Sequence, residues 1–249
     1  MKPYLSVIIP AYNEAKRLPL TLIDIDKHLK SADFSYEIIV VDNNSTDATP
    51  AVVERFSHLI ENLKLIECHI PGKGAAVKKG MLEAKGEIRI FTDADNSTSI
   101  DQFNKMIPYF CRSGTTRNKI GYDIVIGSRD IEGAKLIPSQ PWYKRLAGNL
   151  GNLFIQFMLL PGIWDTQCGF KAFTEEAAEK IFPLIKISRW GFDVEILALA
   201  KKFGYKIKEI PVVWVNNPFS YVKASAYIQV LLEVVKIKWW IITNKYKIK

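Results

Sequence analysis

The sequence predicts an α/β fold: a mostly parallel, Rossmann-like sheet flanked by helices, with a C-terminal amphipathic helical extension. Three observations predict it. Short apolar runs alternate with amphipathic stretches through the first half, the pattern of strands joined by crossover helices. Polar clusters follow the ends of the first, second and fourth runs, where parallel sheets bind ligands. Apolar residues make up 48% of 249 and charged residues 24%, which supports a sizeable core and excludes a disordered or fibrous chain.

The elements follow in order. Leu5 to Pro10 reads as a buried strand, and Ala15 to Leu29 as a helix. Glu37 to Val41 is a second strand and Thr49 to Leu59 a second helix. Leu63 to Glu67, then Gly74 to Ala84, repeat the unit, and Ile88 to Thr92 is a fourth strand. Ile124 to Gly127 is a further strand, and Lys206 to Val215 a last one. Between them Pro138 to Pro161 is apolar with few charges. From about Ala224 the chain reads as a helix, with Ile228, Leu231, Leu232, Val235, Trp239 and Ile242 at helical spacings on one face. The expected division is a catalytic domain over 1–223 and a basic amphipathic tail over 224–249. There are no internal repeats or low-complexity segments.

The formal net charge is +8, which points to an anionic partner. Six lysines against the single acid Glu233 lie beyond Tyr221, mixed with Trp239, Trp240, Ile241 and Ile242. That mixture suits a bilayer headgroup zone better than a nucleic-acid groove. Cys68, Cys111 and Cys168 have no paired spacing, so a reduced compartment and no disulfide framework are expected. The first strand begins almost at once, so no signal peptide is expected. No run of about 18 apolar residues suggests a spanning helix, so membrane contact would be peripheral.

The chemistry begins with Asp93 and Asp95. Two carboxylates one residue apart at a strand end can share a hard cation, Mg²⁺ or Mn²⁺, that also takes substrate phosphate oxygens. A capped loop is the bland reading, because Asn96, Ser97 and Thr98 also suit a helix cap. Asp42 ends the second strand, either as a nucleobase or ribose ligand or in an Asx turn. Tyr12 and Glu14 lie on the neighbouring loop and suit base and ribose, although Glu14 equally suits a helix start. Gly72-Lys73-Gly74 opens the third helix, either as a phosphate contact or as a plain turn and cap. Arg129 follows a strand end and Arg145 sits near Trp142 and Tyr143. Their forked guanidiniums suit a second phosphate, and a surface or snorkelling role is the alternative. Trp190 and Phe192 belong either to the core or to the floor of a sugar pocket beside Asp193 and Glu195. His28, His58 and His69 have no metal spacing.

Together these motifs resemble family 2 glycosyltransferases of the GT-A fold. The resemblance rests on Ser6-Val7-Ile8-Ile9-Pro10-Ala11-Tyr12-Asn13-Glu14, Val40-Val41-Asp42-Asn43-Asn44-Ser45-Thr46-Asp47 and Asp93-Ala94-Asp95. Gly72-Lys73-Gly74, Gly127-Ser128-Arg129, Asp165 to Lys171 and Arg189 to Glu195 narrow it to the dolichyl-phosphate β-glucosyltransferases and their polyprenyl-phosphate relatives. It covers roughly residues 4 to 225. It implies an inverting, metal-dependent transfer of a hexose, glucose from UDP-glucose, to a polyprenyl or dolichyl phosphate. It implies Pro10, Tyr12, Glu14, Asp42, Lys73 and Trp190 at the nucleotide sugar, and Lys223 at its diphosphate. Asp93 and Asp95 would hold diphosphate and metal. Arg129 and Arg145 would hold the acceptor phosphate, helped by Asn149. Mannosyl relatives often read D-A-D-x-Q, and Ser97 stands at that last position, which favours glucose over mannose from GDP-mannose. The implied setting is the cytoplasmic face of a membrane, with no nucleic-acid partner.

Three rivals stand beside this reading. A transferase acting on a saccharide hydroxyl would need Asp193 or Glu195 as general base. A sugar nucleotidyltransferase would want a Gly-rich basic loop after the first strand, and Pro10 to Glu14 offers none. A membrane-binding module would leave the aspartates and arginines unexplained.

Overall fold

The computed structural model describes residues 2–110, 121–139, 142–216 and 224–248, and the side chains of these except at 142–147 and 224–225. Its centre is a seven-stranded sheet. Three βα units come first: β1 (Leu5–Ala11) and α1 (Leu18–Leu29), β2 (Tyr36–Asp42) and α2 (Thr49–Ser57), β3 (Leu63–Glu67) and α3 (Lys73–Glu83). β4 (Ile88–Phe91) and β5 (Ile124–Ser128) follow. The later elements are β6 (Lys135–Ile137), α4 (Trp142–Met158), β7 (Lys171–Thr174), α5 (Glu175–Ile181), α6 (Phe192–Lys202), β8 (Ile207–Pro211), β9 (Val213–Val215) and α7 (Ala224–Ile242).

The strand order is β3-β2-β1-β4-β7-β5-β8. β1 pairs in parallel with β2 and β4, β2 with β3, and β5 with β8. Only β7 runs against its neighbours, β4 and β5. Side chains of β1 alternate between faces, as pleating requires. Leu5, Val7 and Ile9 join the core under α1, while Ile8 faces the core that includes α3 and α6. Both faces are covered, which is why the parallel strands are apolar runs with no polar alternation.

Element bounds agree with the sequence to within a few residues, with three differences. The predicted last strand is two strands in different sheets: β8 pairs with β5, and β9 with β6. The apolar stretch after Pro138 is mostly the helix α4. The motif Asp165 to Lys171 leads into the reversed strand β7, whose direction no local pattern announces.

α7 carries two apolar faces. Val230, Val234, Ile237 and Trp240 are buried in the core, and Glu195 of α6 accepts a hydrogen bond from the Tyr246 hydroxyl at 2.6 Å. The stripe read from the sequence faces outward: Ile228 is 65% exposed, Leu232 67%, Trp239 63% and Ile242 67%. α4 packs against α7 and exposes Leu150, Leu153 and Phe157. Among the described residues, no helix is long and apolar enough to cross a membrane.

Candidate active site

The site forms at the carboxyl ends of β1, β2 and β4. Three asparagines turn the chain there with positive φ: Asn13 (56°), Asn44 (61°) and Asn96 (54°). Asparagine tolerates this region because its short amide bonds locally. The Asn13 Oδ1 accepts from the Thr46 amide at 2.8 Å, and the Ser45 hydroxyl accepts from the Asn13 amide at 3.0 Å. Thr49 Oγ1 accepts from the Glu14 amide at 2.8 Å, so the first two loops are laced together.

Asp42 is buried. Its Oδ2 accepts from the Ser45 amide at 3.2 Å, whereas its Oδ1 is buried with no hydrogen-bond partner. A buried carboxylate oxygen left without a donor costs free energy, and an incoming donor would satisfy it. Asn43 beside it organises the next loop. Its Nδ2 donates to the carbonyls of Cys68 (2.8 Å) and Ile70 (2.7 Å), and its Oδ1 accepts from the Gly72 amide at 2.7 Å. Gly72 has φ +123°, and a Cβ there would stand 2.2 Å from the Ser188 carbonyl oxygen. Only glycine fits, and the chain enters α3 with Lys73 directed at the aspartates.

Both aspartates are partly exposed, and each has its own cation. Lys73 Nζ pairs with Asp93 Oδ1. Arg17 Nη1 stands 3.6 Å from Asp95 Oδ2, and its Nε donates to Glu14 Oε2 at 2.6 Å. Burial lifts the Glu14 carboxyl above its ordinary range despite Arg17. Burial opposes the charge on Lys73, but the field of Asp93, Asp193 and Asp95 outweighs it and raises its pKa. Arg17 carries no motif of its own and escapes sequence reading. Its signal is the spacing Glu14–Arg17, which puts the two on one turn at i, i+3.

The segment Asp165 to Lys171 ties the remaining motifs to this centre. Asp165 grips Arg129 in a buried fork, with Nε to Oδ2 at 2.7 Å and Nη2 to Oδ1 at 2.9 Å. It also accepts from the Arg129 amide at 2.9 Å. The Arg129 guanidinium lies 5.5 Å from the centre of the Trp214 ring. Burial raises the Asp165 carboxyl, but Arg129 overrides it and holds it below the usual range. Three residues on, the Cys168 thiol is pushed up to about 12 by burial and by Asp165, so this sulfur is inert. Gly169 lies against Asp93, with no room for a Cβ beside the carboxylate. Lys171, fully buried, pairs with Asp193 Oδ1 at 2.5 Å and donates to the Cys168 carbonyl at 2.6 Å.

Trp190 is 36% exposed, and Lys73 Nζ stands 5.9 Å from its ring centre. It therefore borders the acid pair and is not in the core; Phe192 behind it is buried. Pro10 is the last residue but one of β1, and Tyr12, 57% exposed, stands on the loop that follows. Asn149 is exposed on α4. Arg145 is on α4, but its side chain lies outside the described residues, as does Lys223 altogether.

Neither carboxylate required by the hydroxyl-acceptor reading is open. Asp193 is held by Lys171, and burial raises its pKa. Glu195 is fully buried and accepts from the amides of Lys186 and Ile187 as well as Tyr246. It organises the core. Among the described residues no group of three or more His, Cys, Asp or Glu side chains forms a metal cage. Asp93 and Asp95 offer hard carboxylate oxygens at a partly open edge. That set fits Mg²⁺ or Mn²⁺, which take one or two carboxylates and fill the remaining positions with substrate phosphates and water.

The mostly parallel sheet, with acids and cations paired at its carboxyl edge, agrees with the GT-A glycosyltransferase fold that the motifs resemble. The chain belongs to glycosyl transferase family 2, whose family model matches residues 6–182, and within it to the dolichyl-phosphate β-glucosyltransferases. It is 39% identical over 258 residues to the dolichyl-phosphate beta-glucosyltransferase of Dictyostelium discoideum, covering 99% of this chain and 77% of that one. It is 37% identical over 253 residues to dolichyl-phosphate beta-glucosyltransferase ALG5A of Trichomonas vaginalis, covering 99% and 76%. Among solved structures it is similar to glucosyl-3-phosphoglycerate synthase of Mycobacterium tuberculosis in complex with Mn²⁺, UDP-glucose and phosphoglyceric acid. The TM-score is 0.63 at 18% identity, over 99% of this chain and 81% of that one.

Proposed function

We propose that this chain transfers glucose from UDP-glucose to a polyprenyl or dolichyl phosphate, with inversion at the anomeric carbon. The observation that carries the reading is the acid pair Asp93/Asp95 with Lys73 and Arg17 beside it, on the same carboxyl edge of the sheet as the unpartnered Asp42 oxygen. Asp42, with Pro10, Tyr12 and Glu14 on the adjoining loops, receives the nucleoside. Lys73 meets the diphosphate, Trp190 floors the glucose, and Lys223 serves as a further diphosphate contact.

Asp93 and Asp95 would hold Mg²⁺ or Mn²⁺, and the ion would supply positive charge to offset that of the diphosphate. An acceptor phosphate is largely dianionic at pH 7 and needs little general-base help. That agrees with the commitment of Asp193 and Glu195 to other partners. The remaining work is to hold two phosphate groups close together against their repulsion. Arg129 does this from its Asp165 clamp, with Arg145 and Asn149 on α4. The clamp fixes two guanidinium nitrogens and leaves Nη1 for the phosphate.

The functional division falls near residue 223: 1–223 carries the catalytic machinery, and 224–249 rests on a membrane surface from the cytoplasmic side. The outward stripe of α7 and the exposed Leu150, Leu153 and Phe157 of α4 supply apolar contact. Lys236, Lys245 and Lys247 supply attraction to anionic headgroups.

Full-length protein incubated with UDP-glucose, Mn²⁺ and a polyprenyl phosphate should give lipid-linked glucose, and GDP-mannose should give little product. Asp95→Ala should abolish transfer while the protein stays folded, and full activity in that variant would sink the assignment. In flotation with anionic vesicles the wild type should float, and a Leu232→Glu/Trp239→Glu variant should stay behind. Equal behaviour of the two would refute membrane docking through α7.

A further inference from the structure

Glu233 is the sole acid in the last 26 residues, and it lies on a helix whose other charged groups are all basic. A carboxylate weakens attraction to an anionic surface, so its place there calls for a partner. The partner is in the loop that carries Trp190. Glu233 Oε2 accepts from the Gly191 amide at 2.8 Å, and Gln229 Nε2 donates to Glu233 Oε1 at 2.9 Å. The fit is tight. A Cβ on Gly191 would stand 2.3 Å from that same Oε2 and 2.9 Å from the Glu233 Cβ, so the carboxylate fills the space a side chain at 191 would take.

Gly191 also starts α6, and its carbonyl accepts from the amides of Val194 and Glu195 at 3.1 Å. It therefore has two anchors: the helix on one side and Glu233 on the other. Trp190 is the next residue, and its ring lies beside Lys73, which pairs with Asp93. A short chain of contacts thus runs from α7 to the acid pair. Moving the Gly191 amide moves Trp190, because adjacent Cα atoms are fixed about 3.8 Å apart by the planar peptide.

We infer that Glu233 is a positioning residue that locks the Trp190 loop for the sugar of the donor and fastens the surface helix α7 to the catalytic centre. This rests on the donor reading above. The lock acts on the sugar side: Asp42, which faces the nucleoside, is tied to Ser45, and its neighbour Asn43 to Cys68, Ile70 and Gly72; none of these bonds involves α7.

The test is calorimetric titration of the full chain with UDP-glucose and with UDP, each with Mn²⁺. Glu233→Ala should weaken UDP-glucose about tenfold, the loss expected for a hydrogen bond to a charged acceptor, and leave UDP nearly unchanged. Glu233→Gln should recover most of the loss, because its amide oxygen still accepts from Gly191. Steady-state rates should show the change in KM for UDP-glucose more than in kcat. Should Glu233→Ala not fold, Gly191→Ala makes the same test from the other side by pushing the carboxylate away. Unchanged UDP-glucose affinity would overturn the inference, as would equal weakening of UDP. A wild type that binds UDP but gains nothing from the glucose overturns it too. A wild type that binds neither ligand overturns the donor reading itself.

Discussion

Replacing Gly169 with alanine is a sharp probe of the acid pair, because it adds one carbon at a known place. That Cβ would stand 2.2 Å from Asp93 Oδ2 and 2.6 Å from Oδ1. Ordinary contact begins at 3.4 Å, so the nearest oxygen must retreat by about 1 Å. Asp93 has little freedom to do so, since Lys73 holds its Oδ1 and Ala94 behind it is buried. A shift of that size at a reacting centre lowers the rate by about 100-fold, or about 2.7 kcal/mol of barrier. Gly169 has no positive φ, so the backbone tolerates alanine and the thermal midpoint should hardly move. The assay pairs initial rates of glucosyl transfer with calorimetric Mn²⁺ binding in the presence of UDP, and both should fall together. A wild-type rate with unchanged Mn²⁺ affinity would refute the argument that Gly169 sets the position of Asp93.

Other perturbations reach the supports of the site. Asp165→Asn breaks the buried fork to Arg129 and should cost about 3 kcal/mol of stability at pH 7, read from urea unfolding. Because Arg129 depresses the Asp165 pKa, the wild-type advantage is present above the unfolded value near 3.9 and is lost as pH falls through the folded value; an advantage that grew toward acid pH would contradict this. Tyr246→Phe removes a donor from buried Glu195 and should cost about 1–2 kcal/mol. Burial raises the Glu195 pKa, so its favourable share is present at acid pH and fades as pH rises through the folded value. Tyr246 donates to the charged carboxylate and holds its pKa down against burial, so the loss in Tyr246→Phe should deepen with rising pH, and a flat difference across the range would argue against it. Asn43→Ala cuts three hydrogen bonds that place the loop before Lys73 and should raise KM for UDP-glucose about tenfold, a change that donor titration would show or deny.

The sequence by itself determined the strands and helices of the first half, because parallel strands covered on both faces must be continuous apolar runs and their crossover helices amphipathic ones. It also determined the acids, since Asp42, Asp93 and Asp95 each follow such a run and so stand at the sheet's carboxyl edge. The outward stripe of α7 was legible in the spacing of Ile228, Leu232, Trp239 and Ile242, but its buried side was not. Val230, Val234 and Ile237 are equally apolar, and periodicity alone cannot say which of two apolar faces meets a core. Tertiary structure decided the partners. Arg129 meets Asp165 across 36 residues, Lys171 meets Asp193 across 22, and Gly191 meets Glu233 across 42. Asp193 and Glu195, open as bases in the sequence, are taken by Lys171 and by backbone amides. Which charge lies beside which depends on the reversed strand β7 between β4 and β5, a long-range pairing that no local spacing encodes.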